Sequence, residues 1–263
     1  MNKKEVIHAN IDTQTLGRKI RKEPLEQMGK SSWDILIEEI EAGNAENALT
    51  LVDYMMIEGK NLHDGYCDWL WADMDFVARN YGEEEIPKMI RNAYAVLSKS
   101  CYKPIPGTGL ADMVMIGAEF NRSHKGGPGE RGNITITEDD EKYIMTFNPC
   151  GSGQRMRRTG EIDGLPPRNE EPLNLGVTSQ PYTWSWSKAG VPYYCAHCCV
   201  MNEQITSEGL GYPLRVTMYS DDPSVPCAFH YYKNPDNIPE EYFTRIGKVK
   251  DPSKFIRLKD HEK

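Results

Sequence analysis

The 263-residue chain carries a formal net charge of −8, with 39% apolar and 27% charged residues, the balance of an ordinary soluble globular protein. Its acidity argues against a nucleic-acid or anionic-membrane partner, since both need a basic surface. It also has no run of about 18 apolar residues to cross a bilayer. Met1 to His8 is basic without an apolar stretch, so no secretory signal is expected. Seven cysteines, an odd number in a chain of this size, fit metal-binding or catalytic thiols in the reducing cytoplasm better than a disulfide framework.

Residues 1–24 form a polar arm with a basic patch at Arg18 to Lys22, which suits a mobile terminus or an oligomer contact. Residues 25–103 read as helical. Ser31 or Ser32 caps a helix over Trp33 to Ile40, and Gly43-Asn44 ends it. A second helix carries Leu51, Val52 and Met55 and stops near Gly59. A third runs from Trp69 to the Asn80-Tyr81-Gly82 stop, and a fourth holds Ile86, Ile90 and Leu97. Short loops between them predict a small antiparallel bundle.

Residues 104–263 form a cysteine-rich α+β region, either separate from the helices or continuous with them. After Pro104 to Gly107 comes a short helix over Met113 to Phe120, then a glycine-rich loop beginning at His124. Two strand pairs follow: Asn133 to Thr137 with Lys142 to Phe147, and Leu214 to Tyr219 with Cys227 to Tyr232. The fold class is therefore α+β: an N-terminal helical bundle, then a mainly antiparallel sheet with Cys-rich loops and a short helix.

Chemistry-bearing residues gather between positions 150 and 230. Cys150 follows a predicted strand and opens the turn Cys150-Gly151-Ser152-Gly153. Its glycines suit an anion nest or oxyanion hole. Arg155, Arg157 and Arg158 follow at once, able to lower a thiol pKa or bind a carboxylate. The hexapeptide Cys195-Ala196-His197-Cys198-Cys199-Val200 has two readings. A continuous helix groups Cys195, Cys198 and Cys199; a knuckle before the helix lets Cys195, His197 and Cys198 converge. Thiolate and imidazole together suit Zn²⁺. Glu203, about two turns on, is a candidate general base, and His124 a candidate proton shuttle. Cys227 and His230 differ in strand parity, so at most one should reach the site. In Tyr182 to Ser187 the alternation puts Tyr182, Trp184 and Trp186 on one face, as in a half-buried edge strand or an aromatic ligand wall.

Cys150 after a strand, the Cys195-x-x-Cys198 group and a late strand with Cys227-Ala228-Phe229 give the last 120 or so residues a likeness in sequence. The region resembles the L-2-amino-thiazoline-4-carboxylic acid hydrolase-like family. That resemblance implies hydrolytic opening of a small ring containing sulfur and nitrogen. His197, Cys199 and the helical N-terminal part are additions to the pattern.

The combined expectation is a zinc-dependent hydrolase or lyase acting on a small, carboxylate-bearing molecule with C–N or C–S bonds. Three ligands from Cys150, Cys195, His197 and Cys198 would hold the ion and leave a place for water. Glu203 or His124 would move the proton, and the Arg155 region would hold the substrate carboxylate. One rival is a metal-free enzyme with Cys150 as nucleophile. Another is a non-catalytic metal or redox sensor with a closed site. Iron or an iron–sulfur cluster is a less favoured occupant, and a homo-oligomer is left open.

Overall fold

The computed structural model describes residues 20–21, 25, 27–100, 108–122, 124, 134–158 and 165–259. The polar arm other than Ile20 and Arg21, the 104–107 boundary and the glycine-rich loop after His124 lie outside these residues. Helix α1 (Ser32–Glu41) starts as its sequence dictates. The Ser31 hydroxyl accepts the Trp33 N–H at 3.2 Å, satisfying a first-turn donor, and Gly43 at φ +72° turns the chain out.

Helix α2 (Ala45–Tyr81) is one 37-residue helix where the sequence suggests two. Gly59 and Gly65 lie inside it, with nothing within 4 Å of where a Cβ would sit. A mid-helix glycine costs about 1 kcal/mol relative to alanine. Burial of Leu51, Cys67, Trp71 and Met74 along the inner face outweighs that. The expected stop at Gly82 (φ +101°) is where α2 ends. Helices α3 (Ile86–Ser100) and α4 (Leu110–Asn121) follow.

Strands β1 (Ile134–Glu138), β2 (Lys142–Phe147), β3 (Val216–Met218) and β4 (Ala228–Tyr232) make one sheet in the order β1-β2-β4-β3, every neighbour antiparallel. Met145 lies opposite Phe229 across β2 and β4. The Phe147 and Phe229 rings meet edge-on at 4.9 Å. Val114 and Ala118 of α4 join that core. Gly117 is required there, because a Cβ would fall 2.5 Å from the Tyr231 hydroxyl. The architecture is α+β, helices first and an antiparallel sheet after them.

Between β2 and β3 lie the short helix α5 (Gly153–Met156), a π-helix over Cys198–Gln204, and α6 (Ile205–Leu210). A second core joins this region to the helices: Trp71, Met74, Ile86 and Ile90 pack with Met156, Trp184, Tyr194 and Val200. Trp71 Nε1 donates to the Gly176 carbonyl at 2.9 Å, and Arg168 Nε meets Asp68 at 2.9 Å.

The Tyr182 to Ser187 segment is not the strand its alternation suggests. Thr183–Ser185 is a 3₁₀ turn and Trp186 is left-handed at φ +56°, so the period-2 argument fails. Trp184 and Trp186 are both buried. Tyr182 stacks on Trp184, whereas Trp186 stacks on Tyr219. Among the described residues, no helix is long and apolar enough to cross a membrane.

Candidate functional site

The inner face of α2 carries Lys60, His63, Asp64 and Cys67, a spacing that places all four on one side. They meet the Cys150 turn. Lys60 Nζ pairs with Asp64 Oδ1 at 2.9 Å and donates to the Gly151 carbonyl. Arg155 Nη2, from α5, reaches Asp64 Oδ2 at 2.9 Å. Lys60, Asp64 and Arg155 are only 2%, 4% and 1% exposed, so the turn is fixed to α2 by an ion-pair group out of water. Burial pushes Lys60 below its ordinary pKa despite the adjacent Asp64. Burial alone would raise Asp64, but His63, Lys60 and Arg155 together hold it below the usual carboxylate value.

Beside this group lies a thiol–phenol–imidazole cluster. Cys67 Sγ is 3.0 Å from the Tyr194 hydroxyl and 3.7 Å from His63 Nε2. His63 Nδ1 is 3.2 Å from Asp64 Oδ1. Ser152 Oγ lies 3.5 Å from Cys150 Sγ, and Gly153 of the same turn lies against the Tyr194 ring, 3.5 Å from where its Cβ would sit. The His124 ring meets His63 edge-on at 5.1 Å. Burial, then the charges of His63 and His197, lowers His124 to about 4, so it is a neutral base at pH 7. Burial pushes the Cys67 thiol up to about 12.

The Cys195 segment follows the helical alternative: after a turn over 193–195 the chain is helical from Ala196 and winds as a π-helix from Cys198, and Cys195, Cys198 and Cys199 pack in one cluster. His197 Nδ1 lies 2.5 Å from the Tyr194 carbonyl, and Nε2 lies 3.5 Å from Cys198 Sγ. Cys195 packs against the Cys150 turn so closely that a Cβ on Gly153 would fall 2.5 Å from its Sγ. The buried Gln154 Oε1 accepts N–H groups from both Cys150 (3.0 Å) and Cys227 (3.3 Å), tying the turn to the start of β4. Burial pushes the Cys198 thiol well above its ordinary value; Cys150, Cys198 and Cys227 pack on one core, and Cys198 also packs with Cys195.

The structure thus gathers Cys150, Cys195, His197, Cys198 and His124 in one region, with Cys227 added. Others of the expected residues have different work. Glu203 is fully buried with its carboxylate taken up by structural donors: it accepts from Trp186 Nε1 (2.8 Å), the Thr217 N–H (2.8 Å) and Arg245 Nη2 (2.9 Å). With those donors it clamps the π-helix to β3. Arg155 holds Asp64 rather than an open carboxylate site. Cys199 donates to the Thr183 carbonyl at 3.5 Å. His230 lies on the opposite strand parity from Phe229 and Tyr231, and Cys227 on the same one. Among the described residues, no three His, Cys, Asp or Glu side chains are disposed to hold a metal ion.

Sequence reasoning missed Lys60, His63, Asp64, Cys67, Ser152 and Tyr194. The available signal was the spacing 60, 63, 64, 67, which continues the phase of Trp71 and Met74 with polar residues. Comparison with protein-family models, curated proteins and solved structures finds no match.

Proposed function

We propose that the chain is a hydrolase or lyase acting on a small molecule with C–N or C–S bonds, with Cys150 as its nucleophile. The supporting observation is the group assembled at the Cys150 turn: the Ser152 hydroxyl 3.5 Å from the thiol, the Tyr194 ring against Gly153, and the His63 and His124 imidazoles on the far side of Cys67 and Tyr194. The turn itself is held by the Lys60–Asp64–Arg155 ion pairs. A half-buried thiol on a fixed turn is the form a cysteine nucleophile takes. An imidazole of the cluster takes the thiol proton as sulfur adds to an acyl or amidine carbon. The same imidazole returns the proton to the departing nitrogen or sulfur, and water then frees the product from Cys150. The resemblance to ring-opening hydrolases supplies the substrate class, a small carboxylate-bearing ring. The cytoplasmic setting belongs to this reading, since the six described cysteines are free thiols.

Ring opening of carboxylated thiazolines, followed by the thiol released, tests it. Cys150→Ser should abolish turnover, and one iodoacetamide label on Cys150 should remove activity in step with its incorporation. Unchanged turnover in Cys150→Ser defeats the reading.

A second reading keeps zinc, on the observation that Cys150, Cys198 and Cys227 pack on one core and Cys198 also packs with Cys195, with His197 Nε2 3.5 Å from Cys198 Sγ. Metal analysis of anaerobically purified protein decides it. About one zinc per chain, lost in Cys195→Ser and Cys198→Ser, supports it; metal-free protein with full turnover rejects it.

A further inference from the structure

The inner face of α2 builds the site, but its outer face obeys a different rule. Exposed positions between residues 58 and 80 recur at alternating steps of three and four, the seam of a coiled coil. Leu62, Tyr66, Trp69 and Phe76 lie on it, each 58–64% exposed, a run of large apolar side chains of the kind that marks an interface. Gly59, Gly65 and Ala72 are interleaved with them. Nothing in the described chain comes within 4 Å of where a Cβ would sit on Gly59 or Gly65. The fold therefore does not need these glycines, whereas close approach by another backbone would.

We propose that this face packs against the same face of a second copy, antiparallel, about a two-fold axis at Trp69. The pairing is self-complementary, as a two-fold interface must be. Leu62 meets Phe76, Tyr66 meets the small Ala72, and Asp73 meets Gly65. At each end Glu58 falls opposite Asn80, with Arg79 one position away on the same flank and within reach of it. A parallel pairing sets Glu58 on Glu58, Asp73 on Asp73 and Arg79 on Arg79, so the charges select the antiparallel form. Arg79 keeps 62% of its side chain exposed while Nε lies 2.7 Å from Asp75 and Nη2 3.1 Å from the Asn174 carbonyl, so the pairing with Glu58 adds to these contacts of its own chain. The Tyr66 and Trp69 rings stack on each other at 6.5 Å, giving the centre of the seam a preformed aromatic surface.

Sedimentation velocity of the full chain tests the proposal. The wild type should run at about twice the 30.0 kDa chain mass at micromolar concentration. Trp69→Glu, which sets two carboxylates together on the axis, should run as a monomer with an unchanged far-ultraviolet circular dichroism spectrum. Glu58→Arg alone and Arg79→Glu alone should each raise the dimer Kd by about tenfold or more. An equimolar mixture of those two variants should recover wild-type association, because each end then joins opposite charges. A monomeric wild type overturns the proposal, whether residues outside the described set or nothing at all covers the face. So does a dimer indifferent to Trp69→Glu and Glu58→Arg, or a mixture that fails to recover.

Discussion

Asp64 is the hinge of the ion-pair group beneath the Cys150 turn, and Asp64→Asn tests that group with almost no change of volume. In the wild type one carboxylate faces Lys60 and Arg155, both at 2.9 Å, all three nearly out of water. The substitution leaves two buried cations without their counter-charge, a change that costs roughly 3–5 kcal/mol. For a chain of this size that lowers Tm by roughly 10 °C. The pH dependence carries a second signature. Asp64 has a folded pKa below 3.8, so its contribution is full above that value and is lost as pH falls through the folded pKa. The gap between wild type and variant should therefore be constant near neutrality and close on acidification below about pH 4. Lys60, lowered from 10.5, works in the alkaline range: the unfolded chain binds the proton more tightly, so stability rises with pH up to 10.5. Urea denaturation of both proteins across pH reads all of this. A loss below about 1 kcal/mol at pH 7, the size typical of an exposed pair, refutes a buried ion-pair group.

Two further outcomes follow from the packing around the turn. Gly153→Ala puts a Cβ 2.5 Å from Cys195 Sγ. It should destabilise the chain by about 1–3 kcal/mol and reduce Cys150-dependent turnover; pairing it with Cys195→Ala should restore much of the stability, as denaturation curves of the single and double variants would show. Cys67, at about 12, should resist iodoacetamide in the native protein at pH 8, where about one in ten thousand such thiols is ionised; peptide mapping that finds Cys67 modified as fast as a free cysteine contradicts its burial.

Much of the fold was legible because its signals are local. Ser31 as a cap, Gly82 as a stop and the alternation in β2 and β4 each act within a few residues, and all four strands fall where they are expected. The long α2 was hidden because Gly59 reads as a stop, while only tertiary burial of Trp71 and Met74 carries the helix through it. The Lys60 to Cys67 stripe was lost with it, since it lay in the supposed break. The site was half legible. Cys150 and the Cys195 segment announced themselves by composition, but their partners come from α2, and Tyr194 joins by a contact 127 residues away in sequence. Glu203 was misjudged because helical phase says which way a side chain points and nothing about the Arg245 and Thr217 donors waiting for it. The Tyr182 to Trp186 alternation misled because a left-handed residue resets the phase.

The π-helix over Cys198–Gln204 sets the phase between two anchors of this chain. A π turn accommodates about one more residue than an α turn, so it shifts the phase between the Cys195–Cys198 segment and the Glu203 clamp. Rewinding the same residues as an α-helix would rotate one end by about 100° relative to the other. Either the cysteines would leave the Cys150 turn, or the buried Glu203 would lose Arg245 and its other donors. Removing one residue and rewinding as α would nearly keep both anchors in place, whereas adding one would not.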